Sequence, residues 1–258
     1  ANIFLDEFLF PKIVDLSLAI ELSDDLTYES YGSPAFMSFE ALSGKKAKSN
    51  DVFSYGITLY YILINKYPYD GYSIKSIIQL KELIKKGIRP VINKPIPECY
   101  KQLMEKCWHQ DPKERPSFEE IVYILKTDAR FITETVNKEE FFEYVDFIDK
   151  KVKNIEIETP TFQKVAIQNY QKVKKKKKMH FQVNMETVDL KNFEKECRIG
   201  KGGFGTVYKV IEKETSNAFA AKVSIYELSQ CTDDMIMNIS REVEIISQLD
   251  HPSIMKFI

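Results

Sequence analysis

Three glycines, Gly200, Gly202 and Gly205, form G-x-G-x-x-G inside the stretch CRIGKGGFGTVYKV at residues 197–210. A turn of this composition lets backbone N–H groups approach phosphate oxygens with no Cβ in the way. Two charged residues further on fit the same chemistry. Lys222 lies in FAAKV, a short apolar stretch in which an ammonium is desolvated unless it meets an anion. Glu242 follows in a segment where Ile236, Ile239, Val243 and Ile246 form one stripe at about 100° per residue; Glu242 falls at the margin of that stripe and Glu244 points away. A carboxylate so placed needs a cation, and Lys222 is the obvious one. Together they would orient the α- and β-phosphates of a nucleotide.

The elements around the glycines decide between two uses of the motif. A dinucleotide site needs a helix directly after the loop, because the helix N-terminus holds the pyrophosphate. Here TVYKVIEKET alternates small or apolar with polar residues and is rich in β-branched side chains, which predicts a strand. Strands are expected at 193–199, 206–211 and 218–223, and a helix from about Asp233 to Leu249 capped by Thr232. The first half of the chain is different. Short strands are expected at 3–5 and 12–14, an exposed loop at 21–33, and helices near 51–64, 73–86, 98–108 and 117–125. The helix beginning near Asp51 is apolar almost all round, as befits the centre of a helical domain.

Between the halves, about 130–190, Asn137 is placed to cap a helix whose Phe141, Tyr144, Val145 and Ile148 share a face, with Glu140 at the capping-box position. The run QKVKKKKKMH follows; no aromatic residue interleaves Lys172 and Lys174 to Lys178, so it reads as a solvated linker rather than a nucleic-acid or lipid contact.

Composition is that of a folded soluble protein: of 258 residues, 44% are hydrophobic and 29% charged, which excludes whole-chain disorder. A net charge of -1 gives no global attraction to nucleic acid or an acidic membrane. The four cysteines, Cys99, Cys107, Cys197 and Cys231, form no C-x-x-C pair and read as free thiols of a reducing, cytoplasmic setting. No apolar run approaches the roughly 20 residues a bilayer crossing requires.

IGKGGFGTVYKV, AFAAKV and SREVEIISQLDHPSIMKF, taken in order, closely resemble the N-terminal lobe of a eukaryotic protein kinase. The resemblance implies that Ile199, Gly200, Lys201, Gly202, Gly203, Phe204 and Gly205 form the nucleotide-binding loop, with Phe204 at its tip. Val207 and Ala220 would contact adenine, and Lys222 and Glu242 would be the paired catalytic residues. The first half resembles the C-terminal lobe of such a kinase: ANIFLDEFLFPKIVDLSLA, GSPAFMSFE, SNDVFSYGITLYYIL and CWHQDPKERPSFEEI. By that resemblance Asn2 and Asp15 are Mg²⁺ ligands, Asp51 is a buried helix aspartate, and Glu40 and Arg115 form a structural ion pair. Gly32-Ser33-Pro34 resembles serine/threonine kinases and CWHQDPKERP tyrosine kinases, a mixture similar to the tyrosine-kinase-like branch.

The implied fold class is α+β: a mainly helical C-lobe portion at 1–129, a linker at 130–190, and an antiparallel β-sheet N-lobe with its helix at 191–258. The expected function is transfer of phosphoryl from Mg-ATP to serine or threonine hydroxyls of a protein substrate, with ATP and Mg²⁺ as cofactors. The chain is expected to be an inactive piece of a tandem-kinase polypeptide, its catalytic aspartate preceding Ala1, with contact between the tandem domains open. On this reading Asp15 and Lys222 belong to two separate active sites. The altered motifs Asp15-Leu16-Ser17 and Ser38-Phe39-Glu40 motivate the alternative of a catalytically dead, regulatory kinase-like domain. Ser23, Thr27, Tyr28, Ser30 and Tyr31 are candidate phosphorylation positions or simple loop polar residues.

Overall fold

A computed structural model of the chain describes residues 2–5, 10–16, 18–19, 32–134, 136–153, 190–201, 205–224, 232, 242–243, 245–246, 249, 251 and 253–254. Two compact units divide it: Ala1–Ser17 with Ile155–Ile258, and Leu18–Asn154. The loop at 21–31, the lysine run and residues 202–204 lie outside the described residues.

The first unit holds two sheets. Strands β1 (Ile3–Leu5) and β2 (Pro11–Ile13) pair antiparallel, Ile3 opposite Ile13. Strands β3 (Phe193–Lys201), β4 (Gly205–Glu212) and β5 (Ala218–Ser224) form an antiparallel meander in that order. Alternation of the side chains sets its two faces. Val207 is paired with Lys222 and Lys209 with Ala220, so Val207, Ala220 and Lys222 share one face. The register shifts between Lys195 and Cys197 and again between Arg198 and Gly200, irregularities that twist β3 just before the glycines. Of the helix expected at 233–249, Glu242, Val243, Ile245, Ile246 and Leu249 are described; the first four are helical and Leu249 is not.

The second unit is helical: α1 (Phe39–Leu42), α2 (Lys48–Ile64), α3 (Ile77–Lys85), α4 (Glu98–Cys107), α5 (Phe118–Thr127) and α6 (Lys138–Lys153). The helix α2 buries Val52, Phe53, Gly56, Ile57, Tyr60 and Ile64. It is not enclosed on all sides, since Tyr61 and Ile62 are exposed. Asp51, expected to be buried, is also exposed: it sits in the first turn of α2, off the face that packs on α4. Partial desolvation still raises its carboxyl above the usual carboxylate range.

Side-chain caps fix where these helices start. The Ser76 hydroxyl accepts from Gln79 N–H, so α3 begins at Ile77 and residues 73–75 are not helical. Ser117 and Glu120 form a reciprocal capping box on α5. Asn137 Oδ1 accepts from the backbone N–H groups of Glu139 and Glu140, but the Glu140 carboxylate is held by the Asn137 side-chain amide rather than its backbone. Phe141, Tyr144, Val145 and Ile148 are half-buried on one side of α6 as their spacing predicts.

The expected ion pair is present. Arg115 Nη2 lies 3.0 Å from Glu40 Oε2, and the same guanidinium donates to the carbonyls of His109 and Ser49. Arg115 and Arg89 each place their guanidinium 5.0 Å from the centre of the Phe53 ring. Arg89 was not singled out by the sequence, yet it donates to the carbonyls of Ile84, Ile88 and Trp108 and ties α3 to the end of α4.

Candidate active site

The first unit gathers charged groups around Lys222. Its pairing with Val207 places it on the face shared with Ala220. Lys222 Nζ donates to both carboxylate oxygens of Glu242 at 2.9 Å and to Asp15 Oδ1 at 3.3 Å. The side chains differ in shelter: Lys222 is 36% exposed, Asp15 32% and Glu242 only 16%. That difference decides the state of Glu242. Burial raises its carboxyl above the usual carboxylate value, Lys222 pulls it down through hydrogen bonding and charge, and the negative Asp15 pushes it up again.

Asp15 arrives here through several contacts. Ile13 N–H donates to Ser253 O at 2.7 Å, and Ile13 forms a parallel bridge with Ile254. Phe4 packs toward the glycine segment, its ring tip 3.5 Å from where a Cβ on Gly200 would lie. The backbone of Asp15 is left-handed, φ 63°, a conformation that aspartate tolerates better than most residues. Such a backbone is a small local cost borne where the side chain meets Lys222. Asn2 stands at the same open end of the β1–β2 hairpin, its carbonyl accepting from Val14 N–H at 2.9 Å. The sequence assigns Asp15 and Lys222 to separate sites; in the structure their side chains touch, with the strand leading to Asp15 fastened through Ile13 to Ser253 and Ile254.

The other expected residues divide into three groups. Gly200, Gly205, Val207 and Ala220 lie on the strands flanking the glycine turn, with Gly205 buried and Gly200 paired with Val207. Ile199 is 44% exposed, and Lys201 is described only as strand backbone. Gly202, Gly203 and Phe204 lie outside the described residues. The segment after Gly205 is a strand, not a helix, which removes the dinucleotide reading of the motif.

Lys222 can hold phosphate oxygens, and Glu242 fixes its direction. Among the described residues no group of three or more His, Cys, Asp or Glu side chains forms a ready metal cage. Mg²⁺ that arrives with phosphates needs only one or two protein oxygens, and the Asp15 carboxylate is a hard donor of that kind. Two carboxylates facing one ammonium leave the cluster with an excess negative charge, which also favours a cation. The residues present thus fit both groups.

Two family models match the chain: "Protein tyrosine and serine/threonine kinase" over residues 1–125 and "Protein kinase domain" over residues 193–258. The chain belongs to the eukaryotic protein kinase superfamily. Its kinase relatives include the dual specificity protein kinase pyk3 of Dictyostelium discoideum, 33% identical over 154 residues, which are 59% of this chain and 11% of that protein. A human relative, mitogen-activated protein kinase kinase kinase 7, is 33% identical over 121 residues, 46% of this chain and 20% of that protein. The chain thus spans only a tenth to a fifth of the length of these relatives. The observed helices and antiparallel three-stranded sheet agree with the α+β kinase class. No described helix is long and apolar enough to cross a membrane.

Proposed function

We propose that the chain is part of an ATP-dependent protein serine/threonine kinase and that Lys222, Glu242 and Asp15 belong to its nucleotide site. The observation that carries this reading is the bidentate contact of Lys222 with Glu242, on the face shared by Val207 and Ala220. Lys222 holds the α- and β-phosphate oxygens, Glu242 restrains the ammonium, and the Val207 and Ala220 face receives the adenine. Backbone N–H groups at Gly200 and Gly205, where the flanking strands end, donate to phosphate oxygens. Asp15, with Asn2 at the same hairpin end, offers the metal oxygens. Mg-ATP, when bound, supplies the transferable γ-phosphoryl group and the charge neutralisation it needs. The bond between that phosphorus and the ADP oxygen breaks, a bond to a serine or threonine oxygen of the protein substrate forms, and a carboxylate takes the hydroxyl proton.

The test is nucleotide binding by the 258-residue chain with Lys222→Met. Loss of affinity by about tenfold or more is expected, the worth of one charge-assisted contact to phosphate. Unchanged affinity overturns the assignment.

A further inference from the structure

We propose that the chain associates with a second copy of itself, the acidic, phenylalanine-edged face of α6 on one copy docking against the lysine and isoleucine face of α3 on the next. Neither face includes a residue of the nucleotide site.

On α3, Ile77, Ile78, Lys81 and Lys85 lie within about 100° of one another around the helix axis. Leu80 and Ile84 carry the packing of this helix on the core, so Ile77 and Ile78 stand outside it, 54% and 73% exposed. Adjacent exposed isoleucines form the kind of apolar patch that marks a contact surface. The two lysines are restrained beside them. Lys81 Nζ lies 5.5 Å and Lys85 Nζ 5.9 Å from the centre of the Phe39 ring. Attraction of both ammonium groups to one ring holds them together, which lowers the side-chain entropy they lose on entering an interface.

The helix α6 lies between the two stretches that the kinase family matches, 1–125 and 193–258, so the family does not account for its outer face. Its inner side is half-buried, and Asp149 pairs with Lys126 of α5. Turned away from that side, Glu139, Glu143 and Asp146 form an exposed stripe about 60° wide. Phe142 and Phe147 flank the stripe, 51% and 44% exposed. Phe141 braces Phe142 edge-on, with ring centres 5.4 Å apart.

The two faces complement each other in charge and in apolar content. Lys81 and Lys85 suit Glu143 and Asp146, and the isoleucines suit the phenylalanines that edge the acidic stripe. Glu82 beside the α3 face and Lys150 at the end of the α6 stripe are again opposite in sign. Two α6 faces would set carboxylates against carboxylates, and two α3 faces would set ammonium against ammonium, so unlike faces pair. Both faces are exposed on the same compact unit, hence neither covers the other within one chain. A second copy supplies the missing partner in equal amount, and each added copy brings one face of each kind.

Sedimentation velocity of the 258-residue chain tests this. One helix-on-helix contact is small, so association is expected at about 10–100 µM. It should weaken by about tenfold as NaCl rises from about 0.05 to 0.5 M, because the paired charges are at the surface. Lys81→Glu with Lys85→Glu makes both faces acidic, and Glu143→Lys with Asp146→Lys makes both basic. Each double variant alone is expected to associate at least about tenfold more weakly than the unsubstituted chain. An equimolar mixture of the two is expected to associate again, since each reversed face now suits the other variant; this recovery also shows that both variants are folded. A chain that stays monomeric up to about 100 µM overturns the proposal, as does a mixture that stays monomeric. Association that survives both reversals places the contact elsewhere and overturns it too. Loss with the α6 reversal alone, the α3 reversal being without effect, hands the acidic stripe to a different basic segment and overturns the α3 contact.

Discussion

Gly56 of α2 and Cys107 of α4 approach so closely that a Cβ on Gly56 would stand 2.9 Å from the Cys107 Cβ and 3.2 Å from Met104 O and Trp108 N. Two of those three neighbours are backbone atoms and cannot swing aside. Gly56→Ala gains about 1 kcal/mol in helix propensity but forces α2 and α4 apart, an overpacking cost of about 1–3 kcal/mol. The second effect wins where the neighbours are backbone, so the variant is expected to be destabilised by about 1 kcal/mol. Trp108, the single tryptophan, is buried at the end of α4 and reports the transition by its fluorescence in denaturant. A stabilised variant would show that the two helices are not in contact at Gly56.

The Arg115 side chain is 1% exposed and its partner Glu40 17%, so this is a buried pair rather than a surface one. Removing one partner of such a pair costs about 3–5 kcal/mol, because the other charge stays buried without its counter-ion. Glu40→Ala should fall near the lower figure, as Arg115 keeps its bonds to two carbonyls. Glu40→Gln, which retains an acceptor oxygen, should cost less. The Trp108 transition measures both, and equal costs for the two variants would contradict the role of charge.

Burial also controls thiol reactivity. Cys107 is fully buried and its thiol is pushed up to about 12, whereas Cys197 on β3 is exposed. Only the thiolate is nucleophilic. Cys197 is expected to alkylate rapidly at neutral pH, and Cys107 only when the helical unit opens; peptide mapping of a timed iodoacetamide reaction distinguishes them. Rapid labelling of Cys107 in the native chain would show that the α2–α4 core is loosely closed.

How much of this was legible depended on distance along the chain. Lys222 and Glu242 are 20 positions apart and their pairing follows from a strand pattern and a helix stripe. Asp15 carries no such signal toward Lys222: the resemblance marks it as a metal ligand, and the docking of Ile13 on Ser253 and Ile254, which no local pattern announces, brings it beside Lys222. Helix starts show a similar limit. S-x-x-E at Ser117 and Glu120 is a readable start, and α5 begins there. At α3 the apolar spacing of Ile74, Ile77 and Ile78 extends the expected helix to residue 73, whereas the Ser76 cap starts it at Ile77. Asp51 follows the family's motif but not its expected burial, because burial depends on what packs over the first turn of α2 and not on that turn itself.

Glu242 gives a pH-dependent prediction. Its ordinary value is 4.5, and in the folded chain burial raises it while Lys222 partly offsets that rise. A carboxyl raised in this way binds its proton more tightly folded than unfolded. Its contribution to stability is therefore fully present below 4.5 and is lost as pH rises through the folded value. Lys222→Met removes both influences that lower the value, the hydrogen bonds and the positive charge, and leaves burial and Asp15 to raise it. The Glu242 carboxyl should then titrate at higher pH in Lys222→Met than in the unsubstituted chain, as followed by the carboxyl ¹³C shift. Asp15→Asn, which removes the repelling charge, should move it the opposite way. If Asp15→Asn leaves the titration of Glu242 where it was, Asp15 does not stand beside this cluster in solution.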